Sequence, residues 1–358
     1  MTGLLAAFAL ASLGCALVLL PVHAHGQRFD PNKYPWDQRP EHCFKSESGA
    51  PECAIDSWPT FDATAARVAG LFHTEQFHLL ERALTEVTTS RKHFPSGYTP
   101  ASAAYWAFRS LMNGGRFLPE DRERIARWKK AFPHSHFAVF AEARYLYANA
   151  WSIRGSGFAG SVSKESWELF NIRLVESERV LLQAPQKLKE TPLWHQLMLA
   201  IVLDTRQTQT DLESAFTAAI KAWPRYFQYY EVILTRLTPK WGGSWRALET
   251  FIDHWSRQQA TTEGDSMYAR LYVSLIHGEG ITPDQTMHNW TRMKKSFDEL
   301  VARYPDPEFL NLYASYACAQ RDKDAFGQVM RRLPSKMILH QVWIRGHSYD
   351  ACLRWAGT

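Results

Sequence analysis

The chain has 358 residues, 46% of them hydrophobic and 22% charged, with 14 Trp, 14 Tyr and 20 Phe. This composition excludes a disordered or low-complexity chain, and the length suits two ordinary domains or one repeat array. The formal net charge of +5, from 41 Lys and Arg against 36 Asp and Glu spread without a polybasic block, excludes nucleic acid as an expected partner.

Gly3 to Val22 holds no charged residue and reads as an export signal. Val22-His23-Ala24 places small residues three before and one before a cut, so cleavage is expected after Ala24, with Ala24-His25-Gly26 as a second site. The run is also nearly long enough to span a bilayer, and no Lys or Arg precedes it; an uncleaved anchor is the alternative. Residues 1–24 are therefore assigned to a signal peptide, 25–62 to a Pro-rich arm, 63–335 to a helical-repeat domain and 336–358 to a C-terminal cap.

After the leader, Cys43, Cys53, Cys318 and Cys352 remain, an even number suited to an oxidising compartment. Three pairings are open. A Cys43–Cys53 bridge would staple the arm and contribute on the order of 3 kcal/mol. Neither cysteine pair has C-x-x-C spacing, so structural disulfides are expected and no metal site.

From Thr64 onward the pattern is amphipathic helix, short turn, amphipathic helix, which predicts an all-α fold. Helices are expected at 73–93 and 99–114, 119–132 and 134–153, 163–184 and 191–205, 211–222 and 225–237, 244–259 and 265–278, and 286–303 and 307–320, with a last one from Asp322. Thr99, Asp211 and Ser244 are expected N-caps, and Thr191-Pro192 places a proline in a first turn. Aromatic-led stripes recur as Trp167, Phe170, Leu174, then Trp245, Leu248, Ile252, Trp255, then Trp290, Met293, Phe297, Leu300. Offsets of three and seven put each set on one helical face. Phe132-Pro133, Trp223-Pro224 and Tyr304-Pro305 mark the changes from one helix to the next.

This spacing resembles the tetratricopeptide repeat over most of residues 70–335, although the small residue expected after the Leu is missing at Leu248-Glu249 and the units, of about 40 residues, are longer. The resemblance implies an α-α superhelix of antiparallel helix pairs with a concave binding face. Local strings are similar to a bacterial family known as domain of unknown function 4034: Trp151-Ser152-Ile153-Arg154-Gly155-Ser156-Gly157-Phe158, then Pro239-Lys240-Trp241-Gly242-Gly243-Ser244, then Glu263-Gly264 before Tyr268-Ala269-Arg270. That likeness spans roughly residues 75–310 and implies exported or envelope helical proteins without an assigned activity.

The chain carries no H-E-x-x-H, G-x-S-x-G, P-loop or dinucleotide motif, and no cofactor is expected. His134 and His136 stand two residues apart at a helix start and point in different directions. Arg154, Ser156 and Gly157 read either as a helix C-cap with a cation at the negative dipole end, or as a loop whose amides and guanidinium hold an anion. Trp241, Gly242 and Gly243 read either as a helix break or, at Trp241, as a stacking platform for a sugar or an aromatic side chain. Glu263, Tyr268 and Arg270 form a third candidate group, in which Glu263 and Arg270 pair with each other or meet a ligand.

These readings favour an exported, non-catalytic binding scaffold that holds a protein segment or a cell-envelope component, in the periplasm or secreted. One alternative is a helical enzyme acting on envelope glycan, which needs a second carboxyl group that no pattern selects. The other is an assembly factor tethered to the inner membrane and facing the periplasm, if the leader is retained.

Overall fold

The structure is a computed structural model that describes residues 44–45, 51–52, 61–112, 119–205, 208 and 210–357. The described residues form seventeen α-helices and one two-stranded antiparallel ladder, in which Phe44 faces Glu52 and Lys45 faces Pro51. The leader, most of the arm, Cys43 and Cys53 lie outside the described residues, and among those described no helix is long and apolar enough to cross a membrane.

The chain divides into two compact units. The first runs to Tyr229 but excludes Pro95–Gly97; the second takes Pro95–Gly97 and the described residues from Tyr230. In the first unit lie α1 (Phe61–His73), α2 (Phe77–Thr89), α3 (Pro100–Met112), α4 (Pro119–Ala131), α5 (His136–Arg154), α6 (Lys164–Leu182), the short α7 (Gln186–Lys189), α8 (Pro192–Asp204) and α9 (Leu212–Ala222). α10 (Gln228–Leu237) carries the chain from one unit into the other. The second unit continues with α11 (Trp245–Gln258), the short α12 (Ala260–Glu263), α13 (Ser266–Glu279), α14 (Trp290–Arg303), α15 (Pro307–Ala319), α16 (Lys323–Arg332) and α17 (Tyr349–Ala356).

Within each unit, consecutive helices pack as pairs, with α5 against α6, α8 against α9, α13 against α14 and α15 against α16. The expected stripes supply the buried faces: Phe170 and Leu174, Leu248 and Ile252, and Met293, Phe297 and Leu300 are all in the core. Their lead tryptophans are only half-buried. Trp290 donates to Asp322 Oδ2 at 2.9 Å and Trp167 to the Ala159 carbonyl at 3.3 Å. In the first unit Trp128 is fully buried, stacked on Phe77 with centroids 5.7 Å apart, and donates to Glu81 Oε1 at 2.8 Å. Burying a tryptophan is favourable only when its N–H finds such an acceptor.

The three aromatic–proline pairs fall where they are expected. Phe132, Trp223 and Tyr304 each directly follow the end of a helix, so the proline sits in the connection. Asp211, Ser244 and Thr191 accept the N–H groups of Ser214, Ala247 and Trp194, as N-caps do.

Three expectations are corrected. The helix expected at 73–93 is shorter, α2 over Phe77–Thr89, and a helix not among those expected, α1 over Phe61–His73, precedes it across a turn in which Glu75 takes φ +58°. Arg127 on α4 grips the Glu75 carboxylate with Nε at 2.9 Å and Nη2 at 2.6 Å, so the turn is fixed by a partner 52 residues away. The Thr99 hydroxyl is buried and caps nothing among the described residues; its carbonyl instead accepts from the amide and the hydroxyl of Ser102. The helix expected from 286 starts at Trp290, after a 3-10 turn over Pro283–Gln285, with Asn289 as its N-cap.

Candidate functional site

α5 is apolar on nearly every side and buried in the first unit, and it belongs there as a helix of mainly Ala and aromatic residues. One face departs from this. Arg144, Tyr147, Trp151 and Arg154 are spaced three, four and three residues apart, which aligns them along one side of the helix.

Asp204, the last residue of α8, ties the middle of this stripe together. Its Oδ2 accepts from the Tyr147 hydroxyl at 2.6 Å and from the Trp151 indole at 2.8 Å. At the C-terminal end Arg154 lies between two indoles, its guanidinium carbon 5.3 Å from the rings of both Trp151 and Trp167. Such cation–ring contacts are favourable on both faces. Its Nη1 donates to the Gly155 carbonyl at 3.0 Å and the Gly157 carbonyl at 2.9 Å. The Gly155 amide closes the helix on Trp151 O, with Gly155 at φ +72°. Arg154 thus staples the turn that contains Ser156 and Gly157, and both residues are exposed.

At the other end of the stripe Arg144 is 2% exposed. Among the described residues nothing accepts a hydrogen bond from its Nε or Nη1. Its guanidinium carbon lies 5.2 Å from the centre of the Tyr147 ring. Burial pulls the guanidinium below the usual arginine range; the hydroxyls of Tyr105 and Tyr147 oppose this, and the Arg109 charge adds to it. Tyr105 on α3 is buried as well, which raises its hydroxyl above the ordinary value against the attraction of Arg144 and Arg109. Buried arginines are normally paired, so this one is chemically conspicuous.

The other sequence candidates lie in the second unit, in two places. Trp241 is half-buried in a 3-10 turn over Pro239–Trp241, with the Arg236 guanidinium 4.3 Å and the Lys240 ammonium 5.4 Å from its ring. Gly242 follows at φ +88°, and a Cβ on Gly243 would fall 2.0 Å from the Leu237 carbonyl oxygen. Glu263 and Arg270 are both 1% exposed and meet around one side chain. Tyr304 donates its hydroxyl to Glu263 Oε2 at 2.7 Å and presents its ring to the Arg270 guanidinium at 4.4 Å. Gly97, at φ +86°, closes over the pair: a Cβ there would lie 2.6 Å from Tyr304 Cε1 and 2.7 Å from Arg270 Nη2. Tyr268 points elsewhere, donating to Glu249 Oε1 at 3.2 Å, accepting from the Asn289 amide at 3.0 Å and lying 4.0 Å below Arg292. Burial raises the Glu249 carboxyl above its usual range, opposed by that hydrogen bond.

Residues 64–201 match the family model described as domain of unknown function (DUF4034). Over this segment the chain is similar to that family. The segment holds Arg144, Tyr147, Trp151 and Arg154, and so the whole polar stripe of α5. The Pro239–Ser244 and Glu263–Arg270 strings lie beyond the matched residues. No curated protein and no solved structure matches the chain.

In the sequence only the Arg154 end of this stripe stands out as a candidate. Trp151 appears there only within the family string, and Arg144, Tyr147 and Asp204 do not appear; an arginine in mid-helix among alanines and aromatics is the signal that finds the stripe. Donor atoms of Cys318, His347 and Cys352 lie within 4.8 Å of one another, but the two sulfurs are joined as a disulfide, with Cα atoms 5.8 Å apart. A disulfide sulfur is a poor metal ligand because the thiolate is the binding form.

Proposed function

We propose that this protein is an exported, non-catalytic binding scaffold whose partner is a protein segment or a cell-envelope component. The observation that carries this reading is the outward face of α6. Its inward residues Phe170, Leu174 and Leu181 are in the core, yet Leu169 and Ile172, one turn apart, are 46% and 49% exposed. Phe158, in the turn stapled by Arg154, is 59% exposed. Aliphatic and aromatic side chains held out by an ordered repeat helix are the usual material of a recognition surface.

Two acids of the second unit are engaged by tyrosines of the fold: Glu263 accepts from the Tyr304 hydroxyl and Glu249 from that of Tyr268. The apolar run from Gly3 to Val22 and the Cys318–Cys352 bridge support export to the periplasm or beyond the cell.

Capture from envelope extract tests the reading, comparing the purified chain with a Leu169→Glu, Ile172→Glu double variant of unchanged circular dichroism. A partner held by the first and released at least tenfold more readily by the second is the expected result. Equal capture by both, or none by either, would refute it.

A further inference from the structure

The buried arginine at the inner end of the α5 stripe has a role that structure alone does not give it. A charge taken out of water is costly unless hydrogen bonds and an opposite charge replace its hydration. Arg144 has neither: no described carboxylate pairs with it, and its Nε and Nη1 have no acceptor. Asp204, the acid on the same side of the helix, is occupied by the donors of Tyr147 and Trp151.

Around Arg144 the groups are suited to negative charge. Tyr105 and Arg109 stand one turn apart on α3, which packs against α5. Arg109 is exposed, while Tyr105 keeps only 6% of its surface. Ala148, one turn beyond Arg144, and Ala104, beside Tyr105, are small and buried. With Arg144 and Tyr105 so deep, only a small group or the end of a chain can reach them.

We propose that the α3–α5 seam at Arg144 is an oxyanion site, which takes a carboxylate or a phosphate group between the Arg144 guanidinium and the Tyr105 hydroxyl, with Arg109 drawing the anion in. Charge-assisted hydrogen bonds from a guanidinium to such oxygens are the strong kind, and they restore the pairing that the fold withholds. The inference deepens the scaffold reading by adding an acidic group to what is bound, and it rests on different residues from the α6 face.

Thermal melting of the purified chain with sodium acetate or sodium phosphate, against sodium chloride at equal ionic strength, tests it. One or both oxyanions are expected to raise Tm by about 2 °C or more at saturation. A larger response to acetate assigns the site to carboxylates, and a larger response to phosphate assigns it to phosphates. Arg144→Met, which keeps the volume and drops the charge, is expected to melt higher than wild type in chloride and to lose the oxyanion response. Tyr105→Phe keeps the ring and should weaken the response several-fold. The proposal is overturned if neither anion moves wild type, if Arg144→Met keeps the response, or if that variant melts lower or fails to fold, since the last would reveal a structural partner. Capture of a partner through Leu169 and Ile172 is independent of all these outcomes, so the two readings stand or fall separately.

Discussion

His195, on α8, is 8% exposed and packed edge-on between Trp194 at 5.1 Å and Tyr229 at 6.2 Å. Burial lowers its pKa to about 4. In the unfolded chain the same imidazole titrates near its ordinary value of about 6.5. Between these values the unfolded state binds the extra proton, so stability is fully present above about pH 6.5 and declines as pH falls towards 4. The change amounts to about 3 kcal/mol. His195→Phe should flatten the pH dependence of the urea midpoint between pH 7 and 4.5, and a variant with the wild-type slope would disprove the assignment. Neither His195 nor Arg144 stands out in the sequence as a buried ionisable group. α8 and α5 are apolar nearly all round, so no polar face tells which side a lone His or Arg takes. Arg154 was legible because two glycines follow it and glycine marks a helix end.

Elements with local signals were read well, and elements fixed from a distance were not. The break between α10 and α11 is written into Trp241-Gly242-Gly243-Ser244: Gly242 needs its positive φ, the Gly243 amide donates to Thr238 O at 3.1 Å, and Ser244 caps α11. Gly243→Ala should lower stability by roughly 2 kcal/mol or more, because the methyl would meet the Leu237 backbone rather than a movable side chain. Gly242→Ala, with open space around it, should cost only about 1 kcal/mol for its backbone conformation. Chemical denaturation of the two variants separates clash from conformational cost, and equal losses would contradict this account. The α1–α2 break carries no glycine or proline at all. Backbone bonds from Thr74 N to Gly70 O and from Gln76 N to Leu71 O close α1 there, and Arg127 holds Glu75 from α4, a contact that spacing in the sequence does not show. The same limit applies to the meeting of Glu263, Tyr304 and Arg270: the acid and the arginine were paired by sequence proximity, but the tyrosine between them is 41 residues from Glu263.

At the scale of the molecule, the all-α class followed from periodicity, whereas α5 with α6, α8 with α9 and α13 with α14 join helices expected in different pairs, and the Cys318–Cys352 bridge was one of the pairings left open. α16 lies between α15 and α17 in the chain and packs on both, so spacing in the sequence does not select this pair. The bridge closes a loop of sequence separation 34, for which chain entropy gives about 4 kcal/mol of stabilisation. Reduction with a thiol, or the Cys318→Ser, Cys352→Ser double variant, is therefore expected to lower the urea midpoint, and an unchanged midpoint would show that the bridge adds nothing. The family match confines the DUF4034 resemblance to residues 64–201, so the turn at Trp241 and the Glu263–Arg270 pair draw their interest from geometry alone.

The bridge also sets how this chain answers a pull. With Cys318 joined to Cys352, tension applied on either side passes through the sulfurs and bypasses α16 and the two 3-10 turns at Ser335–Met337 and His340–Val342. A separation of 34 residues would otherwise pay out about 120 Å of extended chain. An unfoldase that threads the polypeptide would meet a closed hoop instead, two strands wide at its entrance, and would have to pass both at once or stop there.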